Sequence, residues 1–197
     1  KFALDNNYEF YNIRENTGFL RNMVIRNNSA GEVMLTVVFS APDMERIGKI
    51  LDAVQKAFKE IVSIYYVING KLNDSISDLE CQLYYGEEAI WEEMDGLRFK
   101  IGPKSFYQTN SAQAKRLYEV ARDAANLTGW ETVYDLYTGT GTIAQFVSGK
   151  ADKVIGIEYV SEAIEDAKTN ASVNGISNCE FFAGDMKDVL TPDFIAA

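Results

Sequence analysis

The stretch VYDLYTGTGTIAQF, residues 133–146, places one acid, Asp135, inside an apolar run and follows it with two glycines and three threonines. The run VYDLY has the β-branched and aromatic content of a strand, and TIAQFVSG reads as the start of a helix. Between them, Gly139 and Gly141 allow a tight turn and let a ligand come close to the main chain. Working outward, the same alternation repeats: strand KVIGIEY (153–159), helix SEAIEDAKTNASVNG (161–175), strand CEFFAGD (179–185). Upstream, TNSAQAKRLYEVARDAANLTG reads as a helix with Asn110 or Ser111 as N-cap, an apolar stripe of Ala114, Leu117, Ala121 and Ala124, and Gly129 as its stop. Two βαβ units in succession predict a parallel, doubly wound α/β sheet of Rossmann-like type over residues 103–197.

Residues 1–102 have a different rhythm. Segments 8–14, 19–26 and 32–40 are rich in β-branched and aromatic residues and are separated by NTG and NNSAGE, so they predict a β-meander. A helix follows, with Pro42 near its start and Ile47, Ile50, Leu51, Val54, Ala57 and Phe58 at helical spacing. The stretch IVSIYYVIN and three short runs, DLECQLYYG, EAIWEEM and LRFKIG, return to strand character. The expectation is a small α+β domain with a mostly antiparallel sheet, and a boundary near residue 102.

Composition narrows the functional classes. Of 197 residues, 47% are hydrophobic, enough for a packed core. No apolar run approaches the roughly 20 residues of a membrane helix. Two cysteines, Cys81 and Cys179, are too few for a disulfide framework and point to a reducing, cytoplasmic setting. The absence of histidine removes the commonest general base and most zinc chemistry, so no metal is expected. The net charge of −10, shared evenly by the two halves, argues against broad binding to a phosphate backbone. A local basic strip, Arg14, Arg21 and Arg26 in RENTGFLRNMVIR, is the candidate RNA contact, with an ordinary solvated strand face as its alternative. The chain opens on lysine and stops at TPDFIAA, and it reads as a fragment.

In an open α/β sheet, ligands bind beyond the carboxyl ends of the strands. Three features converge there: the Gly139-Thr140-Gly141 turn, Glu158 closing the second strand, and Asp185 closing the third. A carboxylate at Glu158 can accept both hydroxyls of a ribose, and Asp185 or its neighbouring amides can meet an adenine edge. GTGTIA also fits the dinucleotide fingerprint, so NAD and a purely structural turn remain alternatives. An acid beneath the loop opposes a doubly anionic pyrophosphate and favours a cationic, amino-acid-bearing ligand. S-adenosylmethionine, with a sulfonium and an ammonium, suits that charge best.

The stretches GFLRNMVIR, GLRFKIGPKSFYQTN, VYDLYTGTGTIAQF, VIGIEYVSEAIEDAKTNASVNGISN and FFAGD together resemble the RNA 5-methyluridine methyltransferases, with SFYQTN the most diagnostic. The resemblance covers most of residues 18–185. It implies an S-adenosylmethionine-dependent methyltransferase fold, here truncated, acting on uracil C5 in 23S ribosomal or transfer RNA. It implies a cofactor pocket lined by Gln108, Tyr137, Thr142, Glu158 and Asp185, in addition to Gly139 and Gly141. Gln108 would offer an amide to the methionine end and Tyr137 an aromatic wall near the sulfonium. Thr138 stands where the family usually has cysteine and is expected to pack. The family's nucleophilic cysteine and proton-accepting carboxylate follow a D-P-P-R-type motif that these residues do not contain. No catalytic residue is therefore assigned, Cys81 and Cys179 are expected to be packed thiols, and the fragment alone is expected to be inactive. A methyltransferase for another substrate and a noncatalytic RNA-binding module are the competing readings.

Overall fold

A computed structural model describes residues 1–196 and resolves two compact units, Lys1–Ile90 with Gly102–Lys104, and Trp91–Ile101 with the chain from Ser105 onward. The first unit contains α1 (Phe2–Asp5), β1 (Leu20–Asn27), β2 (Val33–Phe39), α2 (Met44–Ala57), β3 (Ile61–Ile68) and β4 (Gln82–Gly86). Its sheet has the order β1-β2-β3-β4, with β2 and β3 parallel and the outer pairs antiparallel. The parallel pair follows from α2, which crosses from the end of β2 to the start of β3; a meander alone would have made every pair antiparallel. The Asp43 side chain caps this helix by accepting from the Arg46 amide at 3.0 Å. Ile47, Ile50 and Leu51 then bury one helix face against Phe19, Leu35, Val37, Phe39, Ile64 and Tyr66. Residues 8–14, expected as a strand, make only isolated bridges, Phe10 to Leu20 and Asn12 to Thr17. Asn16 and Gly18, both at positive φ, bend that segment away from a ladder.

The second unit opens with the hairpin β5 (Ile90–Met94) and β6 (Leu97–Ile101). Asp95 and Gly96 connect them with φ of 55° and 81°, the pair of positive values that a two-residue hairpin turn demands. The sequence places this hairpin in the first domain; Met94 and Phe99 instead enter the core of the second unit. Helices α3 (Ser111–Ala125), α4 (Thr142–Ser148) and α5 (Ser161–Val173) and strands β7 (Thr132–Leu136), β8 (Lys153–Glu158) and β9 (Cys179–Ala183) follow, with short helices α6 (Met186–Val189) and α7 (Pro192–Ala196). The three strands are parallel in the order β7-β8-β9, so the order runs one way only among the described residues. Ala114 and Tyr118 of α3, Ala144, Phe146 and Val147 of α4, and Ile164, Ala167 and Ala171 of α5 close the core with Val154 and Phe181.

Helix α3 begins as expected, with Asn110 accepting from the Gln113 amide at 3.0 Å. Its buried face is rotated from the expected stripe. Tyr118 packs edge-on against Phe146 with ring centroids 5.7 Å apart, and the Arg122 guanidinium lies 4.9 Å from the same ring, while Leu117 is exposed. The large ring and the arginine stem cover more apolar area than the alanines could. The helix ends earlier than Gly129, on Asn126 in the left-handed conformation.

Candidate functional site

Asp135 answers the question its sequence setting raises. Its Oδ2 accepts from the Thr138 hydroxyl at 2.7 Å and from the Ala144 amide at 3.0 Å. Helix α4 starts at Gly141, which has no side chain to cap the first turn. The Ala144 N–H would otherwise be one of the orphan donors of a helix start, and a carboxylate there also meets the positive end of the helix dipole. Burial pushes the Asp135 carboxyl upward, and the two hydrogen bonds oppose that shift. So this acid is a staple beneath the loop, tying the end of β7 to the start of α4.

The loop itself is held open by backbone conformation. Tyr137, Gly139 and Gly141 all have positive φ, at 64°, 56° and 75°. For a tyrosine this conformation is uncommon and strained, and such strain concentrates at functional sites. The two glycines serve different needs. A Cβ on Gly141 would sit 3.0 Å from Ala167 and the Phe181 ring, so that position must be bare for helix and strand to pack. A Cβ on Gly139 would meet nothing within 4 Å, so its bare face looks onto open space. Thr138 is buried, as expected, but it also donates its hydroxyl to Asp135 and its amide to the Ile157 carbonyl at 3.0 Å. Thr142 is buried too, its hydroxyl 3.3 Å from that of Thr140.

Glu158 stands at the end of β8. Its Oε2 accepts from the Gly139 amide at 3.2 Å and its Oε1 from the Val160 amide at 3.0 Å. One carboxylate thus joins the glycine loop to the turn after β8. The end of β9 is joined in turn, because the Gly184 amide donates to the Glu158 carbonyl at 2.9 Å. Asp185 caps α6 by accepting from the Lys187 amide at 3.1 Å and pairs with the Lys187 ammonium at 3.1 Å. Those contacts hold its carboxyl below the usual carboxylate range. The structure therefore brings together Gly139, Gly141, Thr142, Glu158 and Asp185 at the carboxyl ends of three adjacent strands. Tyr137 is on the same loop and 73% exposed. Gln108 is exposed on the irregular segment before α3 and takes no part in the hydrogen bonds that join the strand ends.

Two asparagines escaped the sequence reading. Asn170 is fully buried; its Oδ1 accepts from the Lys100 amide at 2.8 Å and its Nδ2 donates to the Thr140 carbonyl at 3.1 Å. Asn174 takes the Arg98 amide and carbonyl, at 2.8 and 2.9 Å. Together they moor the β5–β6 hairpin to α5 and fix the carbonyl between the two loop glycines. Their spacing, four apart and in register with Ala167 and Ala171, was the available signal: amides on a buried helix face must have partners.

The arginine strip does not survive as a surface. A bulge falls at Arg21, since Leu20 pairs with Phe39 and Asn22 with Val38. The Arg21 side chain is 1% exposed, donates to the carbonyls of Asn69, Lys71 and Asn73, pairs with Asp74 at 2.9 Å, and stacks 4.1 Å from the Tyr11 ring. It organises the chain from 69 to 74. Arg26 is half-buried and donates to the Pro103 carbonyl at 3.3 Å, which leaves Arg14 as the exposed member.

Residues 128–195 match the family described as a methyltransferase domain. A protein of Porphyromonas gingivalis named an uncharacterized RNA methyltransferase is 59% identical over 188 residues, 95% of this chain and 40% of that protein. A Bacteroides thetaiotaomicron protein of the same name is 55% identical over 197 residues, 98% of this chain and 43% of that protein. Among solved structures, the tRNA (uracil-54, C5)-methyltransferase of Pyrococcus abyssi in complex with S-adenosyl-L-homocysteine superposes with a TM-score of 0.74 at 29% identity, covering 93% of this chain and 44% of that one. The chain thus spans about two fifths of the length of the curated relatives it matches. The fold of the second unit is the Rossmann-like α/β fold of S-adenosylmethionine-dependent methyltransferases.

Proposed function

We propose that this chain carries the cofactor-binding part of an S-adenosylmethionine-dependent RNA methyltransferase acting on uracil C5 in 23S ribosomal or transfer RNA. The observation that supports it most is the occupancy of the loop by acids. The α4 N-terminus already holds Asp135, and the Gly139 amide already holds Glu158. A dinucleotide pyrophosphate needs those same donors free, and both are taken. A cationic ligand gains from the Glu158 carboxylate, and the bare face of Gly139 gives it room. When bound, S-adenosylmethionine supplies an electrophilic methyl group on a sulfonium.

The residues of this chain bind and orient that group. Each Glu158 oxygen has a lone pair beyond its backbone bond, enough to accept the two ribose hydroxyls. Asp185 and the backbone it caps face the adenine end, while Tyr137 and Gln108, both exposed, are assigned to the sulfonium and methionine end. Gly141 and Thr142 are packed and shape the loop.

Activation of uracil C5 requires a thiolate to add at C6 and a base to remove the C5 proton. Burial raises the Cys179 thiol to about 11 and also raises Cys81, so both stay protonated near neutrality and neither is a suitable nucleophile. Those two groups are assigned to parts of the protein outside these residues. The test is methyl transfer by the full-length protein from labelled cofactor to bulk ribosomal and transfer RNA, with nucleoside analysis of the product. Label in 5-methyluridine supports the reading, and label in any other nucleoside overturns it. The RNA fraction carrying the label identifies the substrate.

A further inference from the structure

At the end of α2 the first unit has a surface depression of about 260 Å³ lined by Gln55, Lys56, Phe58, Lys59, Ile61 and Tyr85. Phe58 and Tyr85 are 56% and 42% exposed, large aromatic faces left in water. Lys56 and Lys59 are exposed and have no ion-pair partner among the described residues, in a chain whose net charge is −10. The nearest acid on the same helix, Asp52, accepts from the Tyr84 hydroxyl at 2.6 Å; Glu60 flanks the depression without lining it. The wall is a built feature. A Cβ on Gly86 would sit 1.9 Å from the Val62 carbonyl oxygen, so only glycine lets β4 close on β3 here, and in that register Tyr85 stands opposite Ile64 and lines the depression together with Ile61.

Unpaired ammonium groups beside exposed aromatic rings match one ligand chemistry. Bases of single-stranded nucleic acid stack on aromatic faces whatever their sequence, and flanking phosphates pair with lysine. We propose that this depression is a nucleotide subsite of the first unit, in which a base of single-stranded RNA stacks on Phe58 and Tyr85 while Lys56 and Lys59 meet the adjoining phosphates. The proposal rests on the RNA-directed reading above, and it assigns RNA contact to a face other than the arginine strip.

The test is fluorescence anisotropy with a fluorescein-labelled oligouridylate of about ten nucleotides, titrated with this chain between about 50 and 200 mM salt. Removing both charges in Lys56→Gln/Lys59→Gln should reduce the salt slope by about 1.4. Phe58→Ala should weaken binding about 5- to 150-fold. Both variants should keep the parent's circular dichroism and its affinity for S-adenosylhomocysteine, since neither change touches the glycine loop. Parental slope and affinity in both variants, or no salt-dependent binding by the parent, would overturn the subsite. So would loss of self-association in the variants with RNA binding unchanged, which would assign the face to a second copy of the chain. The reading of the enzyme fails separately, by methyl transfer to another nucleoside.

Discussion

Replacing Asp135 separates its two conceivable roles. In the structure it is the acceptor for the Ala144 amide and the Thr138 hydroxyl beneath the glycine loop. Asp135→Ala leaves a helix-start donor without a cap, at a cost of about 0.5–2 kcal/mol, and the hydroxyl of the buried Thr138 without an acceptor, at about 1 kcal/mol. The sum, about 1.5–3 kcal/mol, corresponds to a fall in Tm of about 3–12 °C for a chain of this length. Asp135→Asn retains one oxygen in the same place and removes a charge whose burial is unfavourable, so its stability should lie within about 1 kcal/mol of the parent. If the charge attracted the cationic cofactor directly, the Asn variant would bind it much more weakly. Thermal unfolding followed by circular dichroism, with calorimetric titration of S-adenosylhomocysteine on the Asn variant, measures both. An alanine variant as stable as the parent, or an asparagine variant stable but with cofactor affinity reduced more than tenfold, would refute the staple.

The two loop glycines should part company under the same substitution. Gly141→Ala combines a φ of 75° with contacts of 3.0 Å to Ala167 and Phe181 and should destabilise strongly, whereas Gly139→Ala faces open space and should cost only about 1–2 kcal/mol of backbone strain while impairing cofactor binding; equal losses of stability would contradict the assignment of their roles. Glu131 gives a pH dependence of definite sign. It accepts from the Thr128 hydroxyl and amide and from the Gly129 and Trp130 amides, and its carboxyl is lowered to about 2 from 4.5. A depressed carboxyl stabilises the fold fully above its unfolded value and loses that contribution as pH falls through the folded one, so Glu131→Gln should be less stable than the parent at neutral pH and converge with it between about 4.5 and 2. Unfolding curves across that range check it, and a constant gap would contradict it.

Much of the second unit was legible because strands and helices alternate there with clean periodicities, and the glycines and Glu158 mark strand ends by residue type alone. What escaped depended on tertiary contact. The β5–β6 hairpin looks like any antiparallel pair, and its membership in the second unit is decided by where Met94 and Phe99 bury and by the amides of Asn170 and Asn174. The turn of α3 toward Tyr118 is decided by the Phe146 ring opposite it. Arg21 reads as a surface cation because nothing in its own strand shows that three carbonyls from residues about 50 positions away will surround it. The partners of Asp135 are hidden in the sequence for a related reason: an acid in a strand before a glycine loop has the same signature whether it faces a ligand or the helix start.

The central claim, that the loop at Gly139 and the carboxylate of Glu158 form the cofactor pocket, is tested most directly by calorimetric titration of S-adenosylhomocysteine into the chain and into its Glu158→Ala variant. Loss of two hydrogen bonds to a charged acceptor should cost about 2–4 kcal/mol, a weakening of about 30- to 1,000-fold. The variant's circular dichroism confirms that the strand ends still close. A folded variant that binds with the parent's affinity would show that the ligand sits elsewhere.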